Sequence, residues 1–279
     1  MTDTSIGFIG AGNMAGALIR GLLATGRPAD SLWASDTDQA RLQQWHAECG
    51  IHTGTDNQQL VREVQVLVLA VKPQSMEAVV RQLRPALEDS KVLLISVAAG
   101  ITLDRLAAWS PPRQAIVRCM PNTPALVLSG ASALFANAHT TMAQKALAAQ
   151  LLAAVGTVTW LRVEQDMDAV TALSGSGPAY FFLLMEAMQE AAVGLGLSPE
   201  VARDLCVQTA LGAAKLAGAD GADAAELRRR VSSPGGTTEA AIAQFEKEGF
   251  QAMVGRALLE AARRSRELSS LPGQMDQST

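Results

Sequence analysis

The chain has 279 residues, 48% of them hydrophobic and 18% charged, and carries a formal net charge of −4. At roughly 150 residues per domain this length corresponds to about two domains, and the apolar content excludes a disordered chain. The mildly acidic balance and the 4% of aromatic residues exclude the basic footprint and the stacking platforms of a nucleic-acid binder.

The first half alternates strand and helix. Residues 5–10 (SIGFIG) form a short apolar run ended by glycine, the mark of a strand buried on both faces. Residues 13–25 place Met14, Leu18 and Leu22 at helical spacing, and Gly26 and Pro28 stop the helix. Residues 32–35 predict a second strand and 38–49 a second helix closing at Gly50. Strands follow at 64–71 and 91–97, separated by a helix over 75–87. Thr102 is placed to cap a short helix through Trp109, and further strands are expected at 115–120, 131–136 and 157–162. Strands separated by ~10–15-residue helices predict a doubly wound, mainly parallel sheet, an α/β fold of the Rossmann type.

From about Val163 the strand signals end and Ala, Leu, Glu and Arg dominate. A long helical stretch over 166–195 is broken near Gly175-Ser176-Gly177-Pro178. Ser198-Pro199-Glu200 starts another helix, with further helices at 222–231, 238–247 and 250–268. The expected division is therefore a dinucleotide-binding domain over 1–162, an all-α substrate and dimerisation domain over 163–268, and a flexible tail over 269–279. Residues 179–193 (AYFFLLMEAMQEAAV) are apolar nearly all round and need cover on every side, which predicts a dimer.

Gly10-Ala11-Gly12-Asn13-Met14-Ala15 is G-x-G-x-x-A between a predicted strand and a predicted helix, the context in which this motif binds a dinucleotide. The first glycine permits the tight turn, the second lets backbone approach a pyrophosphate, and the small third residue lets helix and strand pack closely. Helix N–H groups and the positive dipole end then hold the phosphates. The ribose-reading residue belongs at the end of the second strand, where Ser35 and Asp36 stand. A carboxylate there accepts from a 2′-hydroxyl and repels a 2′-phosphate, which leans to NAD; capping the next helix is the alternative role for Asp36.

Two further segments carry unusual local chemistry. Ser174 to Tyr180 put two glycines and a proline inside a helical run, which marks either a packing kink or close backbone approach to a ligand. Ser232-Ser233-Pro234-Gly235-Gly236-Thr237-Thr238-Glu239 joins two helices and ends at a helix N-terminus. Its glycines leave N–H groups to face one way and its threonines supply hydroxyls, a composition suited to a carboxylate beside a polar reacting group. An ordinary threonine cap on a flexible loop is the simpler alternative. Met120-Pro121-Asn122-Thr123-Pro124 is the third such segment.

Other chemistries find little support. No Ser-His-Asp set is readable, and His46, His52 and His139 lack ligand spacing, so no metal is expected. Cys49, Cys119 and Cys206 are scattered and odd in number, as reduced thiols of a cytoplasmic protein are. The longest clean apolar run, residues 66–71, is far short of the ~20 residues of a membrane span, and the first residues lack a secretory pattern. A β-hydroxyacid dehydrogenase would need a catalytic lysine in the helical half, for which Lys215 is the candidate; another imine reductase or a non-enzymatic NAD(P) sensor are further alternatives.

The motifs IGFIGAGNMA, LAVKPQ, VAAGIT, MPNTPAL, LSGSGPAY and SSPGGTT, in this order, resemble the pyrroline-5-carboxylate reductase family from Ile6 to about Leu268. The resemblance implies reduction of the cyclic imine L-1-pyrroline-5-carboxylate to L-proline by NAD(P)H, the last step of proline biosynthesis. It implies a Rossmann domain followed by helices that interlock with a second subunit, with dimers commonly assembling to decamers. It places the pyrophosphate at Gly10, Ala11, Gly12, Asn13 and Met14, and the adenosine ribose at Ser35 and Asn57, while Asp36 departs from the small polar residues of NADP-preferring relatives. The nicotinamide side falls to Ala70, Val71, Lys72 and Pro73, to Val97, Ala98 and Ala99, and to Asn122. Substrate contact falls to Ser233, Gly235, Gly236, Thr237 and Thr238, with Thr238 expected to bond the imine nitrogen. Some relatives carry Glu where Gly221 stands, with Asp220 beside it. The family leans to NADPH and Asp36 pulls the other way, so NADPH is expected with NADH also accepted.

Overall fold

A computed structural model describes residues 4–221 and 223–270, without the side chains of Asp220 and Ser270. The expected tail at 269–279 lies almost wholly outside the described residues.

The sheet strands are β1 (Ile6–Ile9), β2 (Leu32–Ser35), β3 (His52–Gly54), β4 (Val66–Leu69), β5 (Leu93–Ser96), β6 (Ile116–Met120), β7 (Gly130–Ala136) and β8 (Gly156–Trp160). The helices around them are α1 (Asn13–Ala24), α2 (Gln39–Cys49), α3 (Asn57–Glu63), α4 (Pro73–Glu88), α5 (Leu103–Trp109) and α6 (Met142–Ala153). The strands join in one sheet, ordered β3-β2-β1-β4-β5-β6-β7-β8. Every pairing is parallel except β6 with β7.

The continuous apolar strands follow from burial on both faces. Ile6, Phe8, Val66 and Val68 pack into a core with Leu18, Leu22 and Trp45 of α1 and α2. Ile9, Leu67 and Leu69 point the other way, toward Met76 and Leu83 of α4 and Trp109 of α5. Burying a side chain such as Phe8 or Leu67 contributes about 2–3 kcal/mol. Cys119 of β6 lies in the first core, where burial pushes its thiol up to about 12 despite a hydrogen bond with Ser132.

Three elements go beyond the sequence expectations. β3 is a three-residue edge strand with no apolar run. α3 is only seven residues long, started by Asp56, whose carboxylate accepts from Gln58 and Gln59 N–H. α6 is alanine-rich and so weakly periodic, although Thr141 and Gln144 form a capping box at its start.

The described residues fall into two compact units, 177–260 and the remainder. The first unit thus continues past the sheet through α7 (Asp166–Val170) and a π-helical turn at Thr171–Gly175, and it includes residues 261–270. Three hydrogen bonds tie these parts to the unit. Glu164 Oε1 accepts from Arg118 Nη1 at 2.7 Å and from Leu103 N–H at 2.8 Å. Ser265 Oγ donates to Asp168 Oδ1 at 2.6 Å across 97 residues of chain.

The second unit is helical: α8 (Gly177–Gly194), α9 (Pro199–Asp220), α10 (Ala224–Arg230), α11 (Thr237–Lys247) and the start of α12 (Phe250–Ser270). Ser198 caps α9 by accepting from Val201 N–H, with Pro199 in the first turn, as expected. The helical stretch over 166–195 is indeed broken at its glycines, by the π-turn that precedes α8. α8 packs against α9, yet Phe181, Phe182 and Leu183 are each about two-thirds exposed. Among the described residues no helix is long and apolar enough to cross a membrane.

Candidate active site

The C-terminal ends of β1, β4 and β5 lie side by side, the edge at which open α/β sheets bind ligands. Gly10 turns the chain there with φ +89, and a Cβ on it would stand 2.7 Å from the Ala70 carbonyl oxygen. Gly12 is different: a Cβ there would meet nothing within 4 Å, so the space over the loop is open. Gly12 also caps α1 without a side chain, leaving first-turn N–H groups at Asn13, Met14 and Ala15 without an intrahelical acceptor. Ala15 is fully buried, as the third position of the motif requires. An open, positively polarised helix start behind two glycines fits a dinucleotide pyrophosphate.

Ala11 occupies a different place from its neighbours. Its N–H is donated to Asp36 Oδ2 at 2.7 Å, and its carbonyl accepts from Trp45 Nε1 at 3.1 Å. Trp45 is a supporting residue that motif reading missed. Its signal was Gly16, where a Cβ would press 2.7 Å from the indole ring.

Asp36 does not cap α2; Asp38 does, accepting from Arg41 N–H at 3.0 Å. Burial alone would raise the Asp36 carboxyl, but the N–H groups of Ala11 and Asp38 and the Arg41 guanidinium outweigh it and hold the group below the ordinary carboxylate range. Arg41 Nη1 stands 3.4 Å from Asp36 Oδ2. Beside them Ser35 Oγ donates to Asn57 Oδ1 at 2.6 Å, so two of the three ribose candidates meet.

On the β4 side, Ala70 N–H bonds the Ile9 carbonyl and Val71 is half-buried. Lys72 caps α4 and Pro73 opens it, exposed beside the strand end. On the β5 side, Val97 N–H bonds the Leu69 carbonyl, Ala98 N–H bonds Ser96 Oγ, and Ala99 precedes the left-handed Gly100. Asn122 is engaged at both ends of its amide: Nδ2 donates to the Ser174 carbonyl at 3.0 Å, and Oδ1 accepts from Ala131 N–H at 2.8 Å. It thereby ties the π-turn to the end of β6. At Gly175 a Cβ would come 2.5 Å from the Met120 methyl, the far end of a flexible side chain that could shift.

In the second unit the SSPGGTT segment is a tight turn opening onto α11. Gly236 N–H bonds the Ser233 carbonyl at 3.0 Å, and Gly235 has φ +70. Proline then glycine in this geometry is the type II pattern. Gly235 N–H donates to Glu239 Oε2 at 2.7 Å. Both glycine N–H groups that were expected to face a substrate carboxylate are therefore spent within the loop. The unpaired N–H groups lie further on, in the first turn of α11 at Thr237, Thr238 and Glu239, because the cap Gly236 has no side chain to satisfy them. Thr237 and Thr238 are exposed and neither is the cap, which sets aside the simpler alternative for the loop. A groove of about 850 Å³ runs beside the turn, lined by Arg228, Ser232, Gly236, Glu239 and Glu246 among others.

Lys215 is exposed on α9. Gly221 is the left-handed C-cap of α9, and the Asp220 side chain lies outside the described residues. Cys49, Cys119 and Cys206 are free thiols.

The mainly parallel sheet of the first unit, with its glycine loop at the C-terminal strand edge, defines a Rossmann-type dinucleotide-binding fold. A family model described as NADP oxidoreductase, coenzyme F420-dependent, matches residues 5–100, and one described as pyrroline-5-carboxylate reductase dimerisation matches residues 164–268. The chain is 52% identical to the pyrroline-5-carboxylate reductase of Pseudomonas aeruginosa, over 98% of this chain and 100% of that one. A solved pyrroline-5-carboxylate reductase from Coxiella burnetii matches with TM-score 0.93 and 42% identity, over 96% of this chain and 99% of that one. A pyrroline carboxylate reductase structure from Plasmodium falciparum with NADP bound matches with TM-score 0.85 and 29% identity, over 97% and 100%. The chain belongs to the pyrroline-5-carboxylate reductase family.

Proposed function

We infer that the chain reduces L-1-pyrroline-5-carboxylate to L-proline with NAD(P)H, closing proline biosynthesis. Family membership over nearly the whole length is the observation that carries this. The chemistry suits a site without a strong side-chain acid. An imine brings its own basic nitrogen, and once protonated it is electrophilic enough to take hydride, whereas a carbonyl would need a Lys or His donor. The reduced coenzyme supplies the hydride. The protein's part is orientation, which can contribute about 7–11 kcal/mol of barrier lowering.

On this reading the first-turn N–H groups behind Gly10 and Gly12 hold the pyrophosphate, with Ala11 and Asp36 fixing the loop that presents them. Ser35 and Asn57 hold the adenosine ribose. Residues 70–73 and 97–99 flank the nicotinamide, and Asn122 holds the π-turn beside them. The α11 start holds the substrate carboxylate, supported by Ser233 and Thr237, while Thr238 donates its hydroxyl to the imine nitrogen. Residues 1–162 serve as the coenzyme part and 163–268 as the substrate and dimerisation part.

NADPH is the proposed coenzyme, with NADH accepted. The NADP bound in the Plasmodium structure and the Arg41 guanidinium beside Asp36 support the first; the Asp36 carboxylate itself supports the second. The matched dimerisation model and the exposed Phe181, Phe182 and Leu183 support an interlocked dimer, and the family resemblance extends it to a decamer. Free thiols fit a reducing compartment, the cytoplasm. Loss of reduced-coenzyme absorbance on adding the imine, measured with NADPH and with NADH, tests the function. No turnover with either coenzyme overturns it.

A further inference from the structure

We propose that Glu239 is a positioning residue that sets the substrate end of the site by locking the peptide plane between Pro234 and Gly235. The inference rests on the reductase reading above. A Pro-Gly turn reaches two conformations, types I and II, that differ by a flip of this one peptide plane. In type II the flipped N–H points out of the turn. Here that N–H, at Gly235 with φ +70, is donated to Glu239 Oε2 at 2.7 Å. The acceptor stands in the first turn of the helix that the turn opens, so one bond fixes the turn type and the direction in which α11 begins. Those first-turn N–H groups and the Thr237 and Thr238 hydroxyls inherit their aim from it. The negative charge also sits favourably at the helix N-terminus. The turn has no slack elsewhere: a Cβ on Gly236 would stand 2.9 Å from the Ser233 carbonyl oxygen.

The test compares wild type, Glu239→Ala and Glu239→Gln in the full chain, by steady-state kinetics and by amide hydrogen exchange at Gly235. Glutamine keeps an acceptor oxygen and loses the charge; alanine loses both. Because the bond is exposed, its loss should raise the KM for the imine about threefold to tenfold in Glu239→Ala, with the KM for NADPH unchanged. Glu239→Gln should stay near wild type. Exchange at Gly235 should be slowed in wild type and Glu239→Gln and accelerated in Glu239→Ala. An imine KM that is unchanged or lower in Glu239→Ala overturns the proposal, the latter because Glu239 would then be competing for the substrate's place. Parallel movement of both KM values, or failure of glutamine to restore activity, also overturns it. A wild-type enzyme without turnover overturns the reductase reading, and unprotected Gly235 exchange overturns the turn lock on its own.

Discussion

The carboxylate of Asp36 accepts the backbone N–H of Ala11 at 2.7 Å, tying the residue after β2 to the loop after β1. On the proposed reading, the residue placed to discriminate between coenzymes is therefore also a strut of the loop assigned to the pyrophosphate.

On the proposed reading, replacing Asp36 by Ser removes a charge near the 2′-position and one of the two carboxylates that Arg41 pairs with, leaving Asp38. The NADPH/NADH ratio of kcat/KM should move toward NADPH by about 1–2 kcal/mol, roughly 5–30-fold. Both coenzyme KM values should also rise, because the shorter side chain reaches Ala11 poorly. An unchanged ratio would show that the 2′-substituent lies elsewhere.

The same contact predicts a pH dependence. The folded state holds the Asp36 carboxyl below its ordinary value of 3.8, so the stabilisation is complete above that value and is lost as pH falls through the lower folded one. Thermal melts of wild type and Asp36→Asn should differ most near neutral pH and converge as pH falls below 3.8 and through the lowered folded value. A constant gap across that range would contradict the assignment.

Thr238 stands in the first turn of α11, and Gly236, not Thr238, is the cap. Thr238→Ala and Thr238→Val should therefore melt close to wild type while kcat/KM falls about 10–150-fold, the loss of one hydrogen bond to the imine nitrogen of about 1.5–3 kcal/mol. Thr238→Ser should keep most activity. A loss under about threefold in Thr238→Val would remove the hydroxyl from the reaction.

Phe181 and Phe182, 65% and 64% exposed, sit on an α8 that is apolar on nearly every face. Sedimentation of the wild type should show no folded monomer at micromolar concentration. Phe182→Glu should shift the population to monomer with a lower melting temperature, since a charge in an apolar interface goes unpaired. A stable monomeric wild type would contradict this.

What the sequence disclosed depended on how residues announce themselves. The glycine loop was legible because a turn, an open approach and a close helix each need a small residue. Buried strands such as Val66–Leu69 were legible from unbroken apolar runs. β3 lies at the sheet edge with little to bury, and α6 buries mainly Ala148, Leu151 and Leu152, too few to print a period. Within the site, Thr237 and Thr238 could be placed at a helix start from composition alone. The spending of Gly235 N–H on Glu239, and of Ala11 N–H on Asp36, is a matter of three-dimensional hydrogen bonding that no spacing reports.

Ser265 and Asp168 bear on the order in which the molecule is made. The eight strands are complete by Trp160, but the Asp168 carboxylate receives its partner only 97 residues later. At about 5–20 residues per second, a ribosome takes about 5–20 s to cover that distance. Throughout that interval the Asp168 carboxylate of the nascent chain lacks the hydroxyl that later bonds it, and a chain terminated before α12 would never acquire that contact.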